Sequence, residues 1–295
     1  MRILVCGVTG MIGHKMWQTL ARSHDDVMGT LHRGRNEVAF HGLFGDRVVE
    51  RFEAANLEDV TALLDHVRPK VIVNCIGITK RKTEADDIAR MYRVNTLFPH
   101  HLARWAARHA SRVIHFSTDC VFDGADGNYD ERSVVTAPDL YGQTKYFGEL
   151  DYDHCLTIRT SMIGRELEGR TELLEWSLAQ SGKTVSGFSN ARYSGLTTNE
   201  MARILGRIIT DHPELCGRYQ VAGPVITKHA LLCKVRDAFG IDVQIVPKSD
   251  FVCDRTLQSY RFEKATGITV PSWDAMLAEL VADRAFYDKA AQAGG

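Results

Sequence analysis

The sequence lacks an excess of charge of either sign, and it lacks long hydrophobic runs. Lys and Arg number 36 while Asp and Glu number 37, so the chain has no basic excess of the kind that nucleic-acid-binding domains carry. No apolar stretch approaches the roughly 18 residues of a membrane span, and the apolar run after Met1 is too short for a secretion signal. We therefore expect no nucleic acid and no membrane among the partners of this protein.

Cysteine pairs at metal-binding or redox spacing are also absent. The seven cysteines are scattered along the chain without a C-x-x-C pair, and dispersed cysteines inside apolar runs are typical of buried, reduced thiols. This pattern predicts a reducing compartment, and we expect a cytoplasmic protein. The 12 histidines show no ligand spacing with cysteine or glutamate, so no metal site is predicted.

What the chain does have is an alternation of short apolar runs with longer helical patterns. The run at 3–6 is continuously apolar, which is typical of a strand buried on both faces. Further strands are predicted at 27–31, 48–52, 70–76, 112–117 and 156–159, and helices at 11–21, 57–66, 84–110 (kinked near Pro99) and 141–151. The later part is less regular, with helices predicted at 197–209 and 229–239 and strands at 219–222 and 243–246.

This alternation predicts an α/β fold with a Rossmann-type, doubly wound parallel sheet and a smaller C-terminal substrate-binding lobe. We expect residues 1–165 to form the NAD(P)-binding domain, with part of 190–222 returning to it. Residues 166–295 would form mainly the substrate-binding lobe. Ligands of such sheets bind at the carboxyl ends of the strands, which is where the candidate residues described next are placed.

A glycine-rich turn stands between the first predicted strand and the first predicted helix. Its spacing is G-x-x-G-x-x-G, from Gly7 through Gly10 to Gly13. Glycines permit a tight turn and a close approach of a pyrophosphate to the backbone, and the helix that follows offers free N–H groups to the phosphates. An incidental tight turn is the alternative. The predicted cofactor contacts here are Gly7, Thr9, Gly10, Met11, Ile12 and Gly13.

The residues after the second predicted strand bear on the choice of cofactor. Positions 30–35 read Thr-Leu-His-Arg-Gly-Arg and contain no carboxylate. An acidic residue there would bind a ribose 2′-hydroxyl and repel a 2′-phosphate, whereas arginine forks suit phosphate oxygens. We therefore predict that His32, Arg33 and Arg35 bind NADPH. The alternative is a solvated basic loop, in which case NADH is accepted as well.

A tyrosine and a lysine are spaced for proton transfer on one predicted helix. The Y-x-x-x-K pattern places Tyr141 and Lys145 on one face, one turn apart. Ketone reduction needs an acid to protonate the developing alkoxide, and we expect Lys145 to lower the pKa of Tyr141 and to hold the ribose of the cofactor. Ser117 and Thr118, at the end of a predicted strand, offer hydroxyls to the keto oxygen. Tyr141 as an ordinary half-buried helix residue is the alternative.

Positions 117–124 read Ser-Thr-Asp-Cys-Val-Phe-Asp-Gly and resemble the S-T-D-Y-V-F-x-G segment of the dTDP-4-dehydrorhamnose reductases, a branch of the extended short-chain dehydrogenases. The resemblance continues through Tyr-Gly-x-x-Lys at 141–145, Arg-Thr-Ser at 159–161 and Arg-x-Leu-x-Ser at 255–259. It implies NADPH-dependent reduction of a nucleotide-activated 4-keto-6-deoxy sugar. The expected partners are that substrate and, as one option, a second copy of the chain in a homodimer.

The same resemblance assigns further residues to the site. It implies that Asn74, Cys75, Ile76 and Gly77 line the cofactor, and that Asn95 supports the hydrogen bonds of the active site. Two positions depart from the family: Cys120 replaces a substrate-contacting tyrosine, and Met162 replaces an aromatic residue that stacks on thymine. Both departures concern substrate recognition. The expected substrate contacts are Thr118, Asp119, Cys120, Met162, Arg192 and Arg255.

Two of these contacts, Arg192 and Arg255, also have an alternative without a ligand. Arg192 precedes a glycine-bearing loop at a predicted helix start, which is either a diphosphate site or a plain turn with its cap; Arg255 is a similar candidate. Neighbouring activities also remain as alternatives. A cysteine rather than a second acid follows Asp119, which argues against a dehydratase. A nucleotide-sugar epimerase and a non-catalytic NADP-binding subunit, like the regulatory subunit of methionine adenosyltransferase, stay open.

Overall fold

A computed structural model describes residues 1–34, 37, 43–79, 87–168 and 171–292 of the chain, with side chains described as far as Asp288. Its centre is a parallel sheet of seven strands in the order β11-β6-β5-β4-β1-β2-β3. The strands are β1 (Ile3–Cys6), β2 (Val27–Thr30), β3 (Val48–Val49), β4 (Val71–Asn74), β5 (Arg112–Thr118), β6 (Cys155–Thr160) and β11 (Gly217–Gln220). The predicted doubly wound sheet is therefore confirmed.

Helices cover both faces of this sheet, and the alternation of side chains along β1 shows how. Ile3 and Val5 pack into one apolar cluster with residues of α1 (Met11–Ser23) and α7 (Thr198–Asp211). Leu4 and Cys6 point to the other face, into a cluster with residues of α2 (Leu57–Val67) and α4 (Phe98–Arg108). Because both faces are buried, the strand has to be apolar at every position, as the sequence predicted.

The long helix predicted over 84–110 is divided within the described residues. It consists of α3 (Ile88–Tyr92), a single π-helical turn (Arg93–Leu97) and α4. Pro99 lies in the first turn of α4, where its missing N–H costs no helical hydrogen bond. The interruption thus lies just before the proline, and Asn95 is one of its residues. Helix α5 (Leu140–Phe147) is shorter than predicted and ends at Gly148.

The rest of the chain forms small elements beside the main sheet. The predicted strand near 243 is present as β13 (Val243–Lys248), and it pairs with β8 (Lys183–Phe188), which the sequence pattern did not indicate. The remaining short strands are β7 (Met162–Ile163), β9 (Ala191–Tyr193), β10 (Leu196–Thr197), β12 (Ile226–Thr227) and β14 (Cys253–Asp254), and the remaining helices are α6 (Leu173–Leu178), α8 (Lys228–Phe239), α9 (Tyr260–Thr266), α10 (Trp273–Ala282) and α11 (Arg284–Gln292). Among the described residues, no helix is both long and apolar enough to cross a membrane.

A buried polar cluster ties α1 to the end of the chain. The His14 Nδ1–H donates to the carbonyl of Gly10 (2.9 Å), so Nε2 accepts from the hydroxyl of Tyr287 (2.7 Å). Lys15, also buried, pairs with Asp283 at 2.6 Å. Burial lowers the pKa of His14 to about 4. The helix that follows the glycine turn is therefore held by hydrogen bonds that require a neutral histidine.

This cluster predicts acid sensitivity of the fold. Unfolded His14 takes up a proton near pH 6.5 but folded His14 only near pH 4, so acidification favours the unfolded chain. Stability present above pH 6.5 is lost as the pH falls, and we expect His14 to account for about 3 kcal/mol of that loss by pH 4. In urea titrations, His14→Gln should reduce the difference in unfolding free energy between pH 7 and pH 4 by about this amount. An unchanged difference would contradict the assignment.

Candidate active site

The candidate residues converge at one edge of the main sheet. Strands β1, β4 and β5 are neighbours, and their register places Cys6 beside Asn74 and Asn74 beside His115. The glycine turn, the segment 75–79 and the Ser117–Thr118 pair follow these strands directly. The chain reverses its winding between β1 and β4, which is where ligands bind in open parallel sheets.

The glycine turn has the geometry that its spacing predicts. Gly7 has φ +84°, and its N–H donates to the Thr30 hydroxyl on β2 (2.9 Å). A Cβ on Gly13 would overlap the carbonyl oxygen of Gly7, so close helix–strand packing requires glycine there. A Cβ on Gly10 would meet nothing nearer than that same oxygen, at 3.6 Å. The packing of the protein itself therefore does not require Gly10, and the space beside it is free for a ligand.

The start of α1 suits an anionic ligand. Gly10 is the N-cap residue and provides no side chain to bind the first N–H groups of the helix. The first turn, which includes Met11 and Ile12, has no acidic residue. Thr9 lies in the turn just before it. Free N–H groups, the positive end of the helix dipole and the space beside Gly10 together fit the pyrophosphate of a dinucleotide.

The end of β2 carries cationic side chains, as predicted. Arg33 is ion-paired with Glu168, and His32 is largely exposed. Arg35 lies outside the described residues. Arg51 was not predicted: it is paired with Glu37, and a Cβ on Gly34 would lie 3.0 Å from its guanidinium. No sequence signal marks Arg51, because it joins this group only through the pairing of β2 with β3.

The segment after β4 lies against the glycine turn. Asn74 Oδ1 accepts from the N–H of Ile76 (3.0 Å), and Cys75 donates its N–H to the carbonyl of Cys6 (3.2 Å). The Ile76 side chain packs on Gly7. A Cβ on Gly77 would lie 3.9 Å from Lys145 Nζ, so the turn faces the candidate catalytic lysine.

Asn95 joins this segment to α5 from the π-helical turn. Its side chain accepts from the N–H of Ile78 (2.8 Å), donates to the carbonyl of Ile78 (3.0 Å) and donates to Thr144 Oγ1 (3.1 Å). All three bonds are buried. Asn95 therefore links the segment after β4 to α5.

Tyr141 and Lys145 lie on the buried face of α5, whose N-terminus is capped by the Asp139 side chain. Thr118 is within hydrogen-bonding reach of the Tyr141 hydroxyl. Lys145 Nζ donates to the carbonyl of Phe116 (2.6 Å) and lies 3.3 Å from His115 Nε2. Burial lowers the pKa of Lys145 to about 8, while the charge of Glu149 opposes that shift.

The pKa of Tyr141 shifts opposite to our prediction. Burial raises it above its usual value, and the charges of Cys120 and Asp119 act in the same direction. The reason is that desolvation of the phenolate dominates, while burial also favours the neutral form of Lys145. Tyr141 therefore stays protonated across the neutral range.

Ser117 and Thr118 point to opposite faces of β5, because side chains alternate along a strand. The Ser117 hydroxyl donates to Glu149 (2.7 Å), and the fully buried Arg159 binds the same carboxylate through Nε (2.7 Å) and Nη2 (2.8 Å). Thr118 instead accepts from the N–H of Cys120 (3.1 Å) and donates to Asp119 (3.2 Å). The structure brings Thr118, but not the Ser117 hydroxyl, to Tyr141.

The predicted substrate contacts are only partly assembled. Arg255 Nη1 lies 3.4 Å from the thiol of Cys120, beside Asp119. Met162 is half-buried on β7 and packs against the main core. Arg192 is half-exposed and ion-paired with Asp254 at 2.9 Å. Within the described ranges, no cluster of His, Cys, Asp or Glu is arranged to hold a metal ion.

Two residues at this edge were missed by the sequence reasoning. Tyr193 is buried and senses the charges of Asp119 and Cys120, as Tyr141 does; burial raises its pKa. Lys228 places its ammonium 3.5 Å from the centre of the Tyr193 ring. Neither residue belongs to a recognisable motif, because the two are brought together by the pairing of β9 with β12.

The chain is similar to known proteins in sequence and in fold. A family model described as the RmlD substrate binding domain matches residues 1–286. A dTDP-4-dehydrorhamnose reductase of Aggregatibacter actinomycetemcomitans is 26% identical over 231 residues, which cover 75% of this chain and 73% of the relative. The methionine adenosyltransferase 2 subunit beta of Xenopus tropicalis is 25% identical over 264 residues, covering 81% and 72%. In fold, the chain resembles the dTDP-4-dehydrorhamnose reductase of Bacillus anthracis solved with NADP, with a TM-score of 0.79, 18% identity and coverage of 96% and 99%.

Two glycine substitutions separate folding from ligand binding at the turn. Gly10→Ala should change the free energy of unfolding by less than about 1 kcal/mol, because its backbone is in the extended region and its Cβ meets no atom closely. The new methyl group should nevertheless weaken NADPH binding at least tenfold, as measured by calorimetry. Gly13→Ala should destabilise the chain by about 2 kcal/mol or more, because its Cβ overlaps Gly7.

Equal stability of the two variants would contradict the packing argument. Unchanged NADPH affinity of Gly10→Ala would contradict the assignment of the pyrophosphate to this turn.

Proposed function

Because the chain belongs to the RmlD substrate binding domain family, we propose that it is an NAD(P)-dependent reductase acting on a keto group of a nucleotide-activated sugar. The observation that carries this proposal is the placement of Tyr141, Lys145 and Thr118 at the sheet edge that also holds the glycine turn. The similar reductase of Aggregatibacter actinomycetemcomitans supports a 4-keto-6-deoxy sugar as the substrate. Cys120 and Met162 favour a nucleotide or sugar that differs from dTDP-4-dehydrorhamnose.

For the cofactor we propose NADPH, bound with its pyrophosphate at Gly7–Gly13 and its 2′-phosphate at the end of β2. Arg33 and Arg51 lie there, and each has a carboxylate partner that it would exchange for phosphate oxygens. A solved reductase with NADP and the same fold supports a dinucleotide of this type. NADH, which lacks that phosphate, would bind more weakly.

The chemistry follows from the protonation states of the buried groups. The bound cofactor would supply the hydride. Tyr141, whose pKa is raised by burial, keeps its proton across the neutral range and donates it to the developing alkoxide oxygen of the sugar. The Thr118 hydroxyl, which donates to Asp119 in the structure, would turn to the same oxygen when substrate binds and limit its movement. Lys145, held by the carbonyl of Phe116, lies beside Gly77 and is placed to hold the ribose hydroxyls.

A second candidate function has one specific observation in its favour. The chain is similar over 81% of its length to a methionine adenosyltransferase 2 subunit beta. On that reading it would bind NADP and serve a partner enzyme without turnover. The retained Tyr141, Lys145 and Thr118 favour catalysis, since a purely structural subunit has no need of a buried proton donor. NADPH oxidation with a panel of 4-keto-6-deoxy sugar nucleotides separates the two, and an epimerase would show product without net NADPH consumption.

Replacing the proton donor tests the mechanism. Tyr141→Phe should lower kcat by about 100-fold to 10,000-fold, because the alkoxide loses its acid. NADPH affinity should change by less than about threefold, because the phenyl ring of the variant keeps the packing of the tyrosine ring in α5. Stopped-flow NADPH oxidation measures the first quantity and calorimetry the second. Retention of most of the activity would exclude Tyr141 as the acid.

Thr118→Val and Ser117→Ala form a matched pair on one strand. Thr118→Val should reduce kcat by about 10-fold to 100-fold, because it removes one hydrogen bond to the developing alkoxide. It should also lower the free energy of unfolding by about 1–3 kcal/mol, because the Cys120 N–H and Asp119 lose a buried partner. Ser117→Ala should keep kcat near the parent value and lower the free energy of unfolding by about 1–3 kcal/mol, because the buried Glu149 loses a donor. The reverse result would assign the keto oxygen to Ser117.

A further inference from the structure

A fully buried histidine lies directly behind the candidate catalytic lysine. His115 is on β5, and its Nε2 is 3.3 Å from Lys145 Nζ. Its other ring nitrogen, Nδ1, is 3.0 Å from Asn74 Nδ2. The three side chains therefore form a continuous chain from the segment that faces the glycine turn to the lysine. Nothing in the proposed hydride transfer uses His115.

The orientation of the Asn74 amide determines which ring nitrogen of His115 carries the proton. Asn74 Oδ1 accepts from the N–H of Ile76 (3.0 Å), so the amide oxygen must face that N–H. The NH2 group then faces His115 and donates to Nδ1. A neutral imidazole whose Nδ1 accepts has its proton on Nε2. The Nε2–H of His115 is thereby directed at Lys145.

This tautomer favours an uncharged lysine. A neutral amine has one lone pair, which accepts from the Nε2–H, and two hydrogens, one of which goes to the carbonyl of Phe116 (2.6 Å). The other hydrogen remains for the cleft beside Gly77. An ammonium has no lone pair, so its third hydrogen would oppose the Nε2–H of His115.

We propose that His115 is a positioning residue: as a neutral Nε2–H donor oriented by Asn74, it holds the Lys145 amine and sets the pH at which that lysine takes up a proton. The inference rests on the proposed function only for its consequence, which is control of the pH range of turnover. The hydrogen-bond chain itself can be tested without any substrate.

Few other titratable groups among the described residues face the hydrogen-bonded series Asn74, His115 and Lys145. Burial lowers the pKa of Lys145 to about 8, and the carboxylate of Glu149, which follows α5, opposes that shift. Lys145 also faces the thiol of Cys75, which follows β4 and whose own pKa burial raises, so that it is neutral in this range. His115 senses Lys145 and, from α4, His100; both lower its pKa, and burial lowers it further. His115 therefore stays neutral over the range in which Lys145 titrates, as the tautomer argument requires.

The first experiment uses NMR on the full-length wild-type protein. Long-range ¹H–¹⁵N spectra distinguish the imidazole tautomers, and His115 should be a neutral Nε2–H tautomer from pH 6 to 9. Lysine labelled with ¹³C at Cε should show one resonance, absent in Lys145→Arg, that titrates near pH 8. An Nδ1–H tautomer or a charged His115 would overturn the proposal, whatever the enzyme reduces.

Variants then test the control of protonation. His115→Leu removes the donor at nearly constant size, so the Lys145 titration should move up by about one pH unit. His115→Gln can accept from Asn74 and donate to Lys145, and it should restore the wild-type titration within about 0.3 pH unit. His101→Leu, a histidine substitution where α4 contacts Thr61 of α2, is the matched control and should leave the titration unchanged.

An unchanged Lys145 titration in folded His115→Leu overturns the proposal, as does a failure of His115→Gln to restore it. If His115→Leu does not fold, the wild-type tautomer and His115→Gln still decide the question. Where turnover is found, the alkaline limb of its pH profile should move with the Lys145 titration. If no keto-sugar nucleotide is reduced but the NMR results hold, the proposed function fails and the hydrogen-bond chain stands.

Discussion

Parallel pairing of β1 with β4 and of β4 with β5 places Cys6, Asn74 and His115 side by side at one edge of the sheet. The carboxyl ends of parallel strands meet at the same edge, so everything that follows them is brought together. The glycine turn follows β1, the Asn74–Gly77 segment follows β4, and Thr118 ends β5. Helix α5 then packs against the site. Lys145 bonds to the carbonyl of Phe116, and Asn95 joins Thr144 of this helix to the backbone of Ile78. Loss of this pairing would separate the glycine turn, the Asn74–Gly77 segment and Thr118 from one another.

The same constraint explains why so many polar groups are buried here. Glu149 would be costly to bury alone, but Arg159 binds it through two nitrogens and Ser117 donates a third bond. Within the part of the chain that the structure describes, Lys145 has no carboxylate at bonding distance and is bound to a carbonyl instead. Burial therefore shifts the protonation equilibrium of the lysine, whereas the glutamate is held by bonds that require its charge.

Much of this arrangement follows from local sequence. The apolar run at 3–6 and the spacing of Gly7, Gly10 and Gly13 indicate a strand, a tight turn and a helix, and all three are present. Tyr141 and Lys145 share a helix face because they are four residues apart. The helix predicted over 84–110 was harder to define, since a π-helical turn leaves little trace in an apolar pattern. Strand β8 was missed because its residues are largely exposed, and its pairing with β13 gives no periodic signal.

Local spacing was thus sufficient to indicate the strands of the main sheet, the glycine turn and the tyrosine–lysine pair, because each of these depends on residues that are close together in the chain. Packing between distant segments decided the rest. It turned Ser117 toward Glu149 and left Thr118 beside Tyr141, since strand alternation and the position of α5 act together. It raised the pKa of Tyr141 against our prediction, because desolvation depends on everything that surrounds the ring. It also placed His115 between Asn74 and Lys145, because strand register sets Asn74 beside His115 and the packing of α5 brings Lys145 to the other ring nitrogen.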